Sequence, residues 1–253
     1  MKIIAVANQK GGVSKTTTTQ AVAVLLNRQG KRTLCVDLDP QANLSFAMGA
    51  NLEDTPTIYN VLKGELSVAE ILQQTESGDI LPSNILLSGA DTEFVSMGRE
   101  YLLKEVLQDI SQNYDYGLID CPPALSILTL NAFSACDFVI VPALADVFSL
   151  QGMTQLNNTI QSVRKYSNPG LRVAGILLTR FNSRTNLSSH IQKLLDSATQ
   201  RMDTRLFNTY IRNSISVQES QYQRENMLDY DSRGTAMSDY AKFIVELEGV
   251  ING

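Results

Sequence analysis

His190 is the sole histidine of the chain, which excludes any multi-histidine metal site. Cysteine is nearly as scarce. Cys35, Cys121 and Cys136 are an odd number, with the spacing of neither a metal site nor a redox pair, and they read as reduced thiols. No apolar run approaches the roughly 18 residues that a membrane-spanning helix needs. The run Ile3 to Ala7 behind one lysine is too short for the core of a signal peptide. Charged residues make up 19% and hydrophobic ones 43% of 253, the balance of a folded chain long enough to bury a sizeable core. These absences exclude a secreted, membrane-spanning or zinc-built protein and predict a cytoplasmic one.

The net charge of −5 argues by itself against a polyanionic partner, but its distribution does not. Residues 1–150 hold 9 basic and 17 acidic side chains, whereas 151–253 hold 12 and 9. Within 164–224 the count is 10 to 3, an excess of positive charge inside an acidic chain. Such a stretch is either a solvated helical face or a surface for polyanions, and the count alone favours the former.

Short apolar, β-branched runs alternate with helical patterns. Ile3–Ala7, Thr33–Asp37, Tyr116–Asp120, Phe138–Val141 and Val173–Leu178 read as strands. Thr16–Arg28 reads as a helix ending before Gly30, and Tyr101–Gln112 has apolar residues at helical spacing. Further helical stretches fall near 127–135, 149–166, 186–200 and 235–248. Ser67 with Glu70 is a capping-box signature for a short helix through Gln73. The segment 40–100 is less regular and is expected to carry short helices and active-site loops. The alternation predicts an α/β fold, a mostly parallel twisted sheet with helices on both faces.

The informative segment is Gln9-Lys10-Gly11-Gly12-Val13-Ser14-Lys15-Thr16-Thr17, directly after the first strand and opening a helix. Glycines let the backbone approach oxygen atoms closely, while amides and the helix N-terminus supply donors and partial positive charge. In such a phosphate-binding loop Lys15 reaches the β and γ phosphates of a nucleotide and the Thr16 hydroxyl ligates Mg²⁺. A plain glycine turn would leave the two flanking lysines unexplained.

The generic pattern G-x-x-x-x-G-K-[ST] is not matched. Lys10 stands at the front, and Ser14 stands where glycine normally precedes the second lysine. The front lysine marks the deviant P-loop subclass, and the stretch resembles the ParA/MinD group of ATPases, whose usual form is K-G-G-V-G-K-T-T. The resemblance covers nearly the whole chain. Asp37-Leu38-Asp39-Pro40-Gln41-Ala42-Asn43 is similar to the family's D-x-D-P-Q-G-N, with Ala42 in place of glycine. Asp120-Cys121-Pro122-Pro123 resembles its Walker B run. Leu177 to Asn186 is similar to the segment that carries a DNA-contacting arginine, and Ile211-Arg212-Asn213 with Val217, Glu219 and Gln221 to the nucleotide-base loop. Tyr230-Asp231-Ser232-Arg233-Gly234 falls at the entry to the last helix.

The resemblance implies roles. The ATP-binding set is Lys10, Gly11, Gly12, Val13, Ser14, Lys15, Thr16 and Thr17, with Asn213 meeting the adenine and Ile211 packing on it. Lys10 would cross the interface of an ATP-dependent homodimer to the partner's phosphates, so that ATP assembles the dimer and hydrolysis releases it. Asp39 would orient the attacking water, making Lys10, Lys15 and Asp39 the catalytic set. Thr16, Asp37 and Asp120 would hold the Mg²⁺ shell, both carboxylates standing at strand ends where open α/β sheets bind ligands. A Cβ at Ser14 strains the loop or crowds the phosphates, so ATP binding is expected to survive with slow turnover.

In the family's DNA branch, ATP dimers grip non-specific DNA through phosphate contacts. The candidates here are Arg184, Lys193, Arg201, Arg205 and Arg212. In the MinD branch a basic amphipathic C-terminal helix grips a membrane. Here Ser238 to Gly253 sets Glu246 and Glu248 against Lys242, so no membrane partner is expected. The cysteines do not fit the iron-sulfur branch, nor the scattered tyrosines a tyrosine-cluster kinase. The chain opens at the first strand, which implies one P-loop ATPase domain over 1–253 without the N-terminal helix-turn-helix domain of some plasmid relatives. Site-specific recognition would then come from a ParB-type centromere-binding partner. The expectation is a nucleoid-associated partition ATPase of plasmid or chromosome DNA. A positioning ATPase for another cargo and a non-hydrolysing ATP-binding module remain the alternatives.

Overall fold

The computed structural model describes residues 1–147, 149, 152–182, 189–223, 227–231 and 233–253. Its strands are β1 Lys2–Val6, β2 Thr33–Asp37, β3 Gln73–Thr75, β4 Gly78–Leu81, β5 Tyr116–Asp120, β6 Phe138–Ala143 and β7 Arg172–Leu178. They form one sheet in the order β3-β4-β2-β5-β1-β6-β7. Every neighbouring pair is parallel except β3–β4. The helices are α1 Lys15–Arg28, α2 Asn43–Ala47, α3 Ile58–Leu62, α4 Val68–Ile71, α5 Ala90–Glu93 and α6 Leu102–Ile110. After them come α7 Ile127–Ala135, α8 Met153–Tyr166, α9 Ser189–Arg201, α10 Ile215–Gln223, α11 Met227–Tyr230 and α12 Thr235–Asn252.

Parallel strands need crossover helices, and those helices cover both faces of the sheet, so alternate strand residues must all be apolar. In β1, Ile4 and Val6 pack with α1 and α12, whereas Ala5, and Ala7 just past the strand, face the opposite layer of α3, α6, α7 and α8. Leu103 and Leu107 of α6, Phe133 of α7 and Ile160 of α8 belong to that second layer. Tyr240, Phe243, Ile244 and Leu247 bury one stripe of α12 in the first. Each such side chain contributes about 1.5–3 kcal/mol relative to exposure. Gly175 in β7 is required by this packing, because a Cβ there would lie 2.4 Å from the Phe207 ring.

The expected α/β architecture is present, and several boundaries coincide: β2, β5 and α7 fall where the sequence puts them. The least regular segment holds the main difference. The capping box at Ser67 and Glu70 forms as expected, but α4 stops at Ile71 because Leu72 is extended. Gln73 therefore opens β3 rather than closing a helix, and 73–81 is a β-hairpin that adds two strands to one sheet edge. Three paired residues carry too little periodicity to announce a strand. Tyr101 belongs to a 3₁₀ turn ahead of α6, and α12 runs on to Asn252.

The topology puts one edge of the sheet to use. Asp37 ends β2 and Asp120 ends β5, and the two are direct partners in the parallel ladder. Val6 lies beside Asp120 on the other side, and the chain leaves β1 there to form the glycine loop.

Candidate active site

The loop between β1 and α1 is braced from both sides. Asn8 Nδ2 donates to Pro142 O at 2.7 Å, and Lys10 N donates to Asn8 Oδ1 at 3.0 Å. Thr179 Oγ1, just past β7, donates to Val13 O at 3.1 Å. Val13 is buried behind the loop. Gly12 has φ 73°, and Ser14, the cap of α1, has φ 65°. The left-handed conformation costs a residue with a Cβ roughly 1–2 kcal/mol, which is why glycine suits the Ser14 position.

Two cavities meet at this loop. One, of about 610 Å³, is lined by Gly11, Lys15, Thr16, Asp39, Asn43, Phe46 and Tyr222. The other, of about 190 Å³, is lined by Arg180, Ile211, Asn213, Val217 and Tyr240. Gly12, Ser14 and Thr17 border both. The phosphate-loop residues and Asp39 are thus on one cavity, and the base-loop residues Ile211 and Asn213 on its neighbour.

Two buried ionisable side chains at the loop, Lys15 and Asp120, are under-partnered. Lys15 is 8% exposed, and the one hydrogen bond of its ammonium among the described residues is a long 3.3 Å contact to Lys10 O. Burial lowers its pKa, and Asp120 opposes that shift. Asp120 is fully buried, accepts a 2.6 Å bond from Thr16 Oγ1 on Oδ2, and leaves Oδ1 without a partner among the described residues. Burial pushes its pKa well up, and the Asp37 charge adds to the rise. A buried polar atom without a partner is costly, so both groups are poised for ligand charge. A carboxylate oxygen beside a threonine hydroxyl is the donor chemistry of a hard divalent cation, and these two residues fit Mg²⁺.

Asp37 is placed differently. Its Oδ1 accepts from Asp39 N at 3.0 Å, and its Oδ2 accepts from Ser45 N and Oγ at 2.8 and 2.7 Å. Burial raises its pKa to about 6 against those hydrogen bonds. Its oxygens are spent on holding the Asp39 loop and α2. Ser83 extends the network, donating from N to Ser45 Oγ at 2.9 Å and from Oγ to Asp39 O at 2.6 Å. Ala42, where the motif has glycine, is left-handed at φ 54°.

Lys10 turns toward its own chain, where Nζ lies 2.9 and 2.7 Å from Asp146 Oδ1 and Oδ2. Arg212 is held by Asp239 of α12 through Nε and Nη2, both at 2.8 Å, with its own N–H on the same carboxylate at 3.0 Å. Lys193 and Arg201 are exposed on α9, and Arg201 Nη1 donates to Thr154 Oγ1 at 3.2 Å. Arg205 is exposed on the segment beside β7, and Arg184 lies outside the described residues.

Sequence reasoning missed Asp146, Asp239, Arg180, Ser45 and Ser83. Asp146 had a findable signal, because it follows the C-terminal end of β6, on the edge where ligands bind. Ser45, Ser83 and Asp239 act through contacts distant in sequence and left no local mark.

The first 173 residues match a family model described as an AAA domain. The chain is 36% identical over 250 residues to the sporulation initiation inhibitor protein Soj of Bacillus subtilis, covering 97% of this chain and 98% of that one. It is 36% identical over 253 residues to the chromosome partitioning protein ParA of Caulobacter vibrioides, covering 98% and 94%. Among solved structures, a Mycobacterium smegmatis cobyrinic acid a,c-diamide synthase with bound ADP and magnesium superposes with a TM-score of 0.83 at 34% identity, covering 97% and 93%. With a glycine loop fronted by Lys10, a buried Lys15–Asp120 pair and full-length likeness to Soj and ParA, the chain belongs to the ParA-type ATPases of the ParA/MinD family.

Proposed function

We propose that this chain binds Mg²⁺ and ATP at the loop 10–17 and hydrolyses the nucleotide in the cycle of a partition ATPase. The observation that carries the reading is the pair of under-partnered buried groups, Lys15, which lines the larger cavity, and Asp120 Oδ1, whose carboxylate takes the bond from the lining residue Thr16. Phosphate oxygens would satisfy the first, and a magnesium ion the second. Thr16 and Asp120 would hold the cation, with phosphates and water completing its shell, since Mg²⁺ keeps several waters. Asp37 would position Asp39, and Asp39 would orient the attacking water. Ile211 and Asn213 would take the base.

ATP would assemble a homodimer in which Lys10 leaves Asp146 for the partner's phosphates. That dimer would grip non-specific DNA through Arg184, Lys193, Arg201 and Arg205, with Arg212 kept to its Asp239 contact. A ParB-type centromere-binding protein would stimulate hydrolysis and supply site recognition. Among the described residues no helix is long and apolar enough to cross a bilayer, and the acidic C-terminal helix, with Glu246 and Glu248 against Lys242, lacks the basic face that would hold it on an anionic membrane. The setting would be the cytoplasm, on the nucleoid.

The test is anisotropy of a labelled random-sequence duplex titrated with protein, with ATP, ADP or no nucleotide, at two salt concentrations. Binding with ATP alone, lost at the higher salt, is expected. Lys15→Ala should abolish both ATP binding and the duplex signal. Tight ATP binding by that variant would remove the loop from the site.

A further inference from the structure

The opposite edge of the sheet has a second cleft of about 610 Å³, bordered by the first residues of β6 and β7, the end of α8 and the segment 203–208. Strands of this length put it roughly 20 Å from the edge that carries the phosphate loop. Three guanidinium groups line it: Arg164, Arg172 and Arg205. None of the three is in an ion pair among the described residues, although Arg28, Arg32 and Arg212 elsewhere each hold a carboxylate. One carboxylate, Asp203, shares the lining, so the cleft keeps a net positive charge.

Two of the guanidinia are held in place. Arg164 spends Nε on Leu171 O at 2.8 Å, which fixes the plane and leaves both terminal nitrogens without a hydrogen bond among the described residues. Arg172 lies over the Phe138 ring with Cζ 4.5 Å from the centroid, and a stacked guanidinium keeps its in-plane N–H edges for another acceptor. Arg205 is exposed at the side of the same cleft. Arginine forks held in this way match the paired oxygens of phosphate. Little side-chain freedom remains to be lost on binding.

We infer that this cleft is a second phosphate-binding site, separate from the nucleotide loop, which takes phosphate oxyanions. The backbone of the DNA proposed above is one source and a soluble phosphate ester the other. The first source rests on the DNA reading of the preceding subsection, and the cleft itself does not.

The experiment uses full-length protein loaded with a non-hydrolysed ATP analogue and Mg²⁺ and freed of excess nucleotide, so that the loop site is filled and the cleft is left open. Two variants are compared with the wild type: Arg164→Gln with Arg172→Gln, and Arg205→Gln alone, which alters an exposed side chain only. Both should keep wild-type ATP affinity. The double variant should bind a random duplex about tenfold more weakly and Arg205→Gln several-fold, with the salt slope falling by about one for each phosphate no longer neutralised. Pyrophosphate binding, read by calorimetry on the same samples, distinguishes the sources. Loss of pyrophosphate binding with unchanged duplex affinity would support the site and assign it to a soluble ligand. Loss of pyrophosphate binding where even the wild type ignores duplex would support the site and overturn the DNA reading. Unchanged binding of both probes in both variants would overturn the inference.

Discussion

Lys10 Nζ and the carboxylate of Asp146 form a two-point contact within one chain, at 2.9 and 2.7 Å. Both side chains are about one-third exposed, so the pair restrains the lysine without locking it. Ion pairs of this kind contribute up to about 1 kcal/mol.

A lysine that must leave an internal partner before crossing to a second subunit makes assembly harder. Asp146→Asn keeps the acceptor that Ser149 N uses and removes the charge. Dimer formation with a non-hydrolysed ATP analogue should then occur at up to about 30-fold lower protein concentration, because one such pair is released in each of the two protomers. Sedimentation velocity reads this directly, and an unchanged monomer–dimer balance would show that the contact imposes no barrier. Lys10→Ala should bind ATP and remain monomeric.

Arg212 and Asp239 join the base loop to α12 by three hydrogen bonds. Arg212→Ala leaves the nearly buried Asp239 carboxylate short of partners. A lower Tm and weaker ATP affinity should follow, with the residual duplex affinity of the ATP-loaded dimer unchanged. A variant of normal Tm that loses duplex binding alone would return Arg212 to the DNA surface.

Ser14 and Ala42 occupy left-handed backbone at φ 65° and 54°. Replacing Ala42 by glycine relieves a conformation that costs roughly 1–2 kcal/mol and adds some unfolded-chain entropy, for a net gain of up to about 1 kcal/mol. Urea denaturation should show a higher midpoint with unchanged slope. Ser14→Gly should give a similar gain and faster ATP turnover, and slower turnover would mean that the serine hydroxyl assists the phosphates.

The Asp37 carboxyl has a pKa raised to about 6, with burial the main cause. A folded-state pKa above the unfolded value favours folding below about 4 and loses that contribution as pH rises through about 6. Without nucleotide or Mg²⁺, Tm should therefore climb between pH 7.5 and 5.5. Saturating Mg²⁺ and ATP should flatten the climb by stabilising the ionised acids nearby. A Tm that already falls across this range in the nucleotide-free protein would contradict the raised pKa.

The sheet was readable because parallel strands buried on both faces read as near-continuous apolar runs, as in Phe138–Ala143 and in Tyr116–Asp120 up to its terminal carboxylate. The glycine loop was readable because its residues are contiguous and each has a chemical reason to be there. The β3–β4 hairpin was not, since two strands of three and four residues with Gln73, Gln74 and Thr75 on one of them carry no apolar pattern. Asp37 shows the limit within the site. Its position at a strand end was visible, but its commitment to Ser45 and Asp39 depends on where α2 folds back. The partners of Lys10 and Arg212 lie 136 and 27 residues away, beyond any local spacing rule.

The hydrogen bonds that converge on Asp37 and Ser45 join three segments: the end of β2 with its following loop, the first turn of α2, and the residues after β4. The amides of Asp39, Ser45 and Ser83 all donate within that buried knot. Although they sit outside the strands, these amides can exchange with deuterium only when the knot opens as a unit. They should therefore exchange as slowly as the amides of the central sheet, leaving Asp39 on a loop that is irregular in shape yet among the last parts of the molecule to take up solvent.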